Sequence, residues 1–270
     1  EIYINDKHLI NNALPKIIKY PKHKKIRIGY FSADFREHPV SSLTVELFEL
    51  HNRDQFEVIA FSFGANTNDP LRKRLEIGFD QFIDVSDKTD TQITLLAREM
   101  EIDIAVDLNG FTEHCRAGIF AQRAAPVQVS YIGYLGTMGA SYIDYLVTDE
   151  TIVPAEARPF YAEKMIYLPS YQINDPHQHP SDRPMTRAEF GLPDDAFVFC
   201  AFNNNYKITP PVFESWMRIL NRVPHGVLWL YVSNTKAQDL LRESARAQGV
   251  APERLIFANK IVFEEHLARQ

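Results

Sequence analysis

A chain of 270 residues, 45% of them hydrophobic and 24% charged, can bury one large core or two ordinary ones and has the composition of a soluble globular protein. Its formal net charge of −6 excludes the basic surface that non-specific nucleic-acid or anionic-membrane binding needs. No apolar run nears the roughly 20 residues of a membrane span, no signal-peptide pattern opens the chain, and Cys115 and Cys200 are too few for a disulfide framework or a zinc site, which together point to a reducing, cytoplasmic compartment.

Residues 1–24 carry a short apolar pattern (Ile10, Leu14, Ile17, Ile18) and the start of a basic run, and read as a lead-in segment or linker. From residue 25 strands and helices alternate. Strands are predicted over 26–31, 56–63, 81–85, 102–108, 127–134 and 143–148. Between them lie helices over 41–51, 69–77, 90–101 and 116–122, the second with Asp69 as N-cap and Pro70 at its first position. Asp84, Asp87 and Asp90 read as a turn and a helix cap. This alternation predicts βαβ units, a parallel sheet and helices on both faces, so residues 25–152 form an N-terminal Rossmann-like lobe of α/β class.

Seven prolines between 153 and 195 interrupt the pattern and mark an inter-lobe crossing. Residues 196–270 resume it, with strands at 197–202, 227–232 and 255–258 and helices at 210–222, 235–247 and from about 263. They form the first half of a second Rossmann-like lobe. The strand at 197–202 reads as buried, with Cys200 a plain core thiol. It empties through three asparagines, Tyr206 and Lys207 onto a helix whose N-cap is Thr209 and whose first residue is Pro210. Such a tip, with its unpaired N–H groups and partial positive charge, is how α/β proteins build anion sites, and Lys207 adds a full charge.

Ligands of parallel sheets bind beyond the carboxyl ends of the strands. In the first lobe the loops 32–42, 109–117 and 135–141 fall there. His38, ahead of a helix, can take a proton or donate to a phosphate; on spacing alone a surface histidine, one of nine, is the plainer reading. Asn109 and Thr112 end the fourth strand at the same rim, where ordinary Asn-Gly turn chemistry is the plainer reading. The chain has no dinucleotide or P-loop glycine motif and no nucleophile elbow. No aspartate pair is spaced D-x-D, and His177 and His179, set among prolines, read as a solvated loop rather than a metal site.

Four motifs in register carry a resemblance: DFREHPVSSL (34–43), VDLNGFT (106–112), APVQVSYIGYLGTMGASYIDYLVTD (125–149) and FVFCAFNNNYKITP (197–210). From about Lys24 to the last residue the chain resembles the catalytic region of the O-GlcNAc transferase/SPINDLY family, in its prokaryotic branch. The resemblance implies a GT-B-like fold of two Rossmann-type lobes with parallel sheets, the second incomplete here, preceded in the full-length chain by tetratricopeptide repeats. It implies a metal-independent, inverting transfer of N-acetylglucosamine from UDP-N-acetylglucosamine to serine or threonine hydroxyls of a protein or peptide acceptor, without a cofactor.

By that resemblance His38 and Lys207 are catalytic, Lys207 on the diphosphate. Asn109, Thr112, Gly136, Thr137, Asn204 and Tyr206 lie around the nucleotide-sugar and acceptor. Asn204 stands where animal members carry glutamine, and Leu135 replaces the proline of the usual GYPGT. The family's remaining donor-site residues fall beyond Gln270, so weak binding without turnover is expected of these residues alone. Two alternatives stay open at this point: a protein O-fucosyltransferase using GDP-fucose, and a non-catalytic peptide- or nucleotide-binding module. Apolar surface on an incomplete lobe also leaves room for self-association.

Overall fold

The computed structural model describes residues 14–17 and 19–270, so Ile10 and Ile18 of the lead-in pattern lie outside the described residues. The chain divides into two compact units, one ending at Asp175 and the other running from Pro176 to Gln270.

The first unit is built on seven parallel strands: β1 (Ile26–Ser32), β2 (Phe56–Ser62), β3 (Gln81–Asp84), β4 (Ile104–Asp107), β5 (Val127–Tyr131), β6 (Tyr145–Thr148) and β7 (Lys164–Tyr167). Their order is β3-β2-β1-β4-β5-β6-β7. Helices α1 (Pro39–Leu50), α2 (Pro70–Gly78), α3 (Asp90–Glu99) and α4 (Ala117–Ala121) join the first five. Alternate side chains of β1 feed two separate cores. Phe31 stacks on Phe61 with ring centroids 4.4 Å apart and packs with Ile93, Ile102 and Phe120. Tyr30 points the other way, onto Phe48 and Phe79. A strand covered on both faces reads as an unbroken apolar run, which is why β1 and β2 were plain in the sequence.

Three details differ from expectation. α1 begins two residues early, so that His38 is its N-cap rather than a loop residue. α3 is capped by Thr89, whose side chain and that of Gln92 exchange backbone hydrogen bonds in a capping box, leaving Asp90 as the first helical residue. β7 lies inside the stretch expected as a crossing: a four-residue, mostly exposed edge strand too short to show a period.

The second unit holds a smaller parallel sheet in the order β10-β9-β8, from β8 (Phe197–Ala201), β9 (Gly226–Tyr231) and β10 (Leu255–Ala258). Helices α5 (Pro210–Arg222), α6 (Thr235–Ala247) and α7 (Phe263–Ala268) accompany it. β8 is not buried. It lies at the sheet edge, where Phe197 is 60% exposed and Cys200 is a free, exposed thiol rather than a core one. Its apolar side chains are partly covered on both faces, Phe199 and Ala201 on one and Val198 on the other, while its outer edge is open. Among the described residues no helix is long and apolar enough to cross a membrane, and no group of three or more His, Cys, Asp or Glu side chains is placed to hold a metal ion.

Candidate active site

The strand order of the first sheet reverses between β1 and β4. At such a switch point the loops leaving two neighbouring strands turn to opposite faces and open a crevice at their carboxyl ends. The switch brings together the ends of β1, at Ser32, and of β4, at Asp107, where Phe31 pairs with Asp107.

Asp107 anchors the β4 loop from below. Its Oδ1 accepts the N–H groups of Asn109 at 2.9 Å and Gly110 at 3.1 Å, and Gly110 takes a left-handed φ of +57°. Burial of this carboxyl raises its pKa to about 6 against the pull of the two amides. The turn thus formed aims Asn109 sideways rather than outward. Its Oδ1 accepts the Ala33 N–H at 2.9 Å, and its Nδ2 donates to Asp34 Oδ2 at 2.9 Å and to the Thr112 hydroxyl at 3.2 Å. Thr112 in turn donates to the Asn109 carbonyl at 3.0 Å. Asn109 is therefore a buried brace between the β1 and β4 loops.

Asp34 is the hub of that brace. Its side chain is 7% exposed and its carbonyl accepts the Ser41 hydroxyl at 2.5 Å. The carboxylate also faces Arg36 at 3.3 Å and His38 Nδ1 at 3.8 Å. His38 Nδ1 accepts the Val40 N–H at 3.3 Å as the cap of α1. A neutral ring that accepts on Nδ1 carries its proton on Nε2. Burial lowers the His38 pKa, with Asp34 opposing and Arg36 adding to the shift, so the neutral form is favoured near pH 7.

The loop after β5 completes this rim. A Cβ on Gly133 would run into the Leu108 carbonyl, so only glycine lets the two loops touch there. The Tyr134 ring packs edge-on against Phe111, centroids 5.5 Å apart. Gly136 lies against the Tyr134 ring, and Thr137 bonds to Glu163, a buried carboxylate just ahead of β7. His38, Asn109, Thr112, Gly136 and Thr137 thus belong to one connected rim. Sequence reasoning passed over Asp107 and Glu163, and over Asp34 as more than a motif letter. Their partners lie 26 to 75 residues away for Glu163 and Asp34, a pairing that no local pattern encodes.

In the second unit Asn204, Tyr206 and Lys207 form a separate group. Asn204 caps a 3₁₀ turn over Asn205–Lys207, whose last N–H returns to the Asn204 carbonyl at 3.0 Å. The turn leaves Tyr206 73% exposed, with the Lys207 ammonium 5.9 Å from its ring centroid. The helix tip behind them is poorer in donors than expected. Pro210 and Pro211 have no N–H, that of Phe213 is taken by the Thr209 carbonyl at 3.0 Å, and the Thr209 side chain makes no cap. Lys207 is thus the main positive group of this turn.

The sequence matches the profile of glycosyl transferase family 41 over residues 8–182 and 172–270. It is 41% identical over 253 residues to the probable UDP-N-acetylglucosamine–peptide N-acetylglucosaminyltransferase SEC of Arabidopsis thaliana, covering 91% of this chain and 26% of that protein. To the UDP-N-acetylglucosamine–peptide N-acetylglucosaminyltransferase of Caenorhabditis elegans it is 25% identical over 364 residues, covering 91% of this chain and 31% of that protein. Among solved structures, a lysine-to-methionine mutant of Thermobaculum terrenum O-GlcNAc transferase matches with a TM-score of 0.83 and 32% identity, over 91% of this chain and 46% of that one. The fold class is GT-B. The chain spans less than a third of either curated relative, and both names specify N-acetylglucosamine; the fucose alternative finds no support in them. The motifs that line the β1 and β4 rim and the polar turn after β8 fall inside those matches, and this chain belongs to glycosyl transferase family 41.

Proposed function

We propose that the protein carrying this chain is a cytoplasmic protein O-glycosyltransferase that moves N-acetylglucosamine from UDP-N-acetylglucosamine to serine or threonine hydroxyls, with inversion and without a metal. The observation that carries this reading is the 41% identity over 91% of the chain to a relative named for that reaction. Breaking the glycosidic bond leaves negative charge on a diphosphate. Lys207, exposed on the turn after β8, is the group in this chain best suited to stabilise it. His38 enters as a neutral imidazole with its proton on Nε2, and its first role is therefore to donate a hydrogen bond; to accept the hydroxyl proton on Nε2 it must give up the Val40 contact.

The test is transfer by the whole protein to a Ser/Thr peptide, with UDP-N-acetylglucosamine or GDP-fucose as donor and with EDTA present or absent. Transfer from the first donor only, unchanged by EDTA, is the expected result; no transfer from it overturns the reading. Lys207→Ala should cost about 10²–10³ in kcat, the range for losing one electrostatic contact to developing charge. His38→Gln, which keeps an N–H donor, should retain well over ten times the activity of His38→Ala; equal loss in both variants would assign His38 to proton abstraction instead.

A further inference from the structure

The tripeptide 161–163, Tyr-Ala-Glu, is far along the chain from the rim loops, yet four hydrogen bonds tie it to the loop after β5. Tyr161 donates its hydroxyl to the Leu135 carbonyl at 3.1 Å, and the Ala162 N–H donates to the Thr137 hydroxyl oxygen at 3.2 Å. Glu163 accepts the Thr137 hydroxyl on Oε2 at 2.7 Å and the Met138 N–H on Oε1 at 2.7 Å. The Thr137 oxygen also accepts the Gly139 N–H at 2.9 Å. A hydroxyl has one proton and two lone pairs, and all three are used inside the protein here. Nothing of the Thr137 hydroxyl remains to offer a ligand.

The loop it belongs to needs such a restraint. Gly133, Gly136 and Gly139 punctuate it, and it lies in no helix or strand between β5 and β6. Free glycine-rich chain samples many conformations, and fixing it costs entropy that local contacts must offset. Glu163 is 6% exposed, so the clamp works from a buried carboxylate whose bonds to neutral donors are of the strong, charge-assisted kind. The loop in turn touches the turn at Asn109–Thr112 through Tyr134 and Phe111.

We propose that Glu163 is a positioning residue: it holds Leu135–Gly139 in a single conformation at the rim, and Thr137 serves the site through that clamp and not by contact with the sugar. Only the effect on sugar transfer rests on the glycosyltransferase reading.

The test is a double-mutant cycle of Glu163→Ala and Thr137→Val, with Thr137→Ser as the conservative control. In this chain, amide hydrogen exchange at Met138 and Gly139 should accelerate by about tenfold or more in Glu163→Ala, the worth of one such bond, while amides of β5 keep their rates. In the whole protein each single variant should raise the donor KM by about tenfold with a smaller change in kcat. The double variant should be no worse than either, and Thr137→Ser should behave as wild type. Unchanged exchange at Met138 and Gly139 overturns the proposal. So does acceleration that extends equally to Val129–Tyr131, which would make Glu163 a general stabiliser, and so does an additive cycle, which would put Thr137 directly on the sugar. Absence of sugar transfer in the wild-type protein would sink the functional reading while leaving the exchange result to judge the clamp.

Discussion

Two residues of the first unit titrate in ways that make its stability fall as pH rises, for opposite reasons. Burial disfavours the ionised form of Asp107 and moves its pKa from the usual 3.8 to about 6. Below 3.8 the folded and unfolded chains are both protonated there. Between 3.8 and 6 only the unfolded chain releases the proton, so stability drops through that window and stays lower above it. The full drop is on the order of 3 kcal/mol. Asp107→Asn keeps an oxygen for the Asn109 and Gly110 amides but cannot ionise. Its Tm should match wild type near pH 4 and exceed it at pH 7; an equal gap at both would show that the carboxyl ionises freely. His23 behaves in the other sense chemically. Nε2 meets Glu101 at 2.8 Å and Nδ1 meets Asp103 at 3.2 Å, and these bonds raise its pKa by favouring the charged ring. That stabilisation is whole below the ordinary 6.5 and is lost as pH passes the raised value. Of the candidate site, His38 and the Asn109 turn were legible because they sit inside motifs. Asp34 and Asp107 sit in the same motifs, but the bond from Asn109 to Asp34 and that from Thr137 to Glu163 were not legible, because a hydrogen bond between residues far apart in the chain leaves no periodic trace.

At the scale of elements, one guanidinium reinforces the backbone bonds that close the carboxyl end of α5. Arg254 Nε donates to the Gly226 carbonyl at 2.7 Å, and its Nη2 donates to those of Leu220 at 2.9 Å and Val223 at 2.6 Å. The last carbonyls of a helix have no intrahelical partner, and a cation there also suits the dipole. Arg254→Ala should destabilise the second unit by about 1.5–3 kcal/mol, the worth of charge-assisted bonds to part-buried carbonyls; those of Leu220 and Val223 keep the N–H groups of Val223 and Gly226 as partners. Arg254→Lys should recover only part of this, because an ammonium lacks the planar fork that reaches separated acceptors. Both tryptophans, Trp216 and Trp229, lie in this unit, so a denaturant titration followed by their fluorescence reads it alone. A midpoint unchanged in Arg254→Ala would remove the cap from the account. α5 itself was easily read in advance: Phe213, Met217 and Leu220 recur at helical spacing and are its buried residues. The 3₁₀ turn holding Arg254 has no such period. The end of a helix was therefore legible while the residue that secures it was not.

At the scale of the molecule, the two sheets manage their edges differently. The first closes its β6 side with β7, a short strand whose residues alternate little and whose Lys164 places a charge at the edge. Within residues 176–270 β8 pairs with β9 alone, and its other side is open. Phe197 is exposed beside Phe199, with ring centroids 4.7 Å apart, and an apolar groove of about 180 Å³ runs alongside, lined by Phe199, Cys200, Trp216 and Ile219. A row of free backbone donors and acceptors flanked by aromatic surface is a template for another strand. Within this chain 197–202 is not the buried strand expected: sequence shows apolar residues, whereas burial depends on whether a neighbour stands on each side, and here β8 has one on one side only. The chain should therefore associate with itself through β8 as concentration rises, in the micromolar to millimolar range where exposed edges begin to pair. Phe197→Lys puts a charge beside that edge at a ring that is mostly exposed and meets only Phe199 among the aromatic rings. It should shift the sedimentation profile toward monomer by about tenfold in concentration while leaving the tryptophan-monitored unfolding midpoint where it was, since the substituted ring was mostly in water. A wild-type chain that sediments as a monomer throughout, or a Phe197→Lys chain that associates equally well, would show that the edge is occupied or that association uses another face.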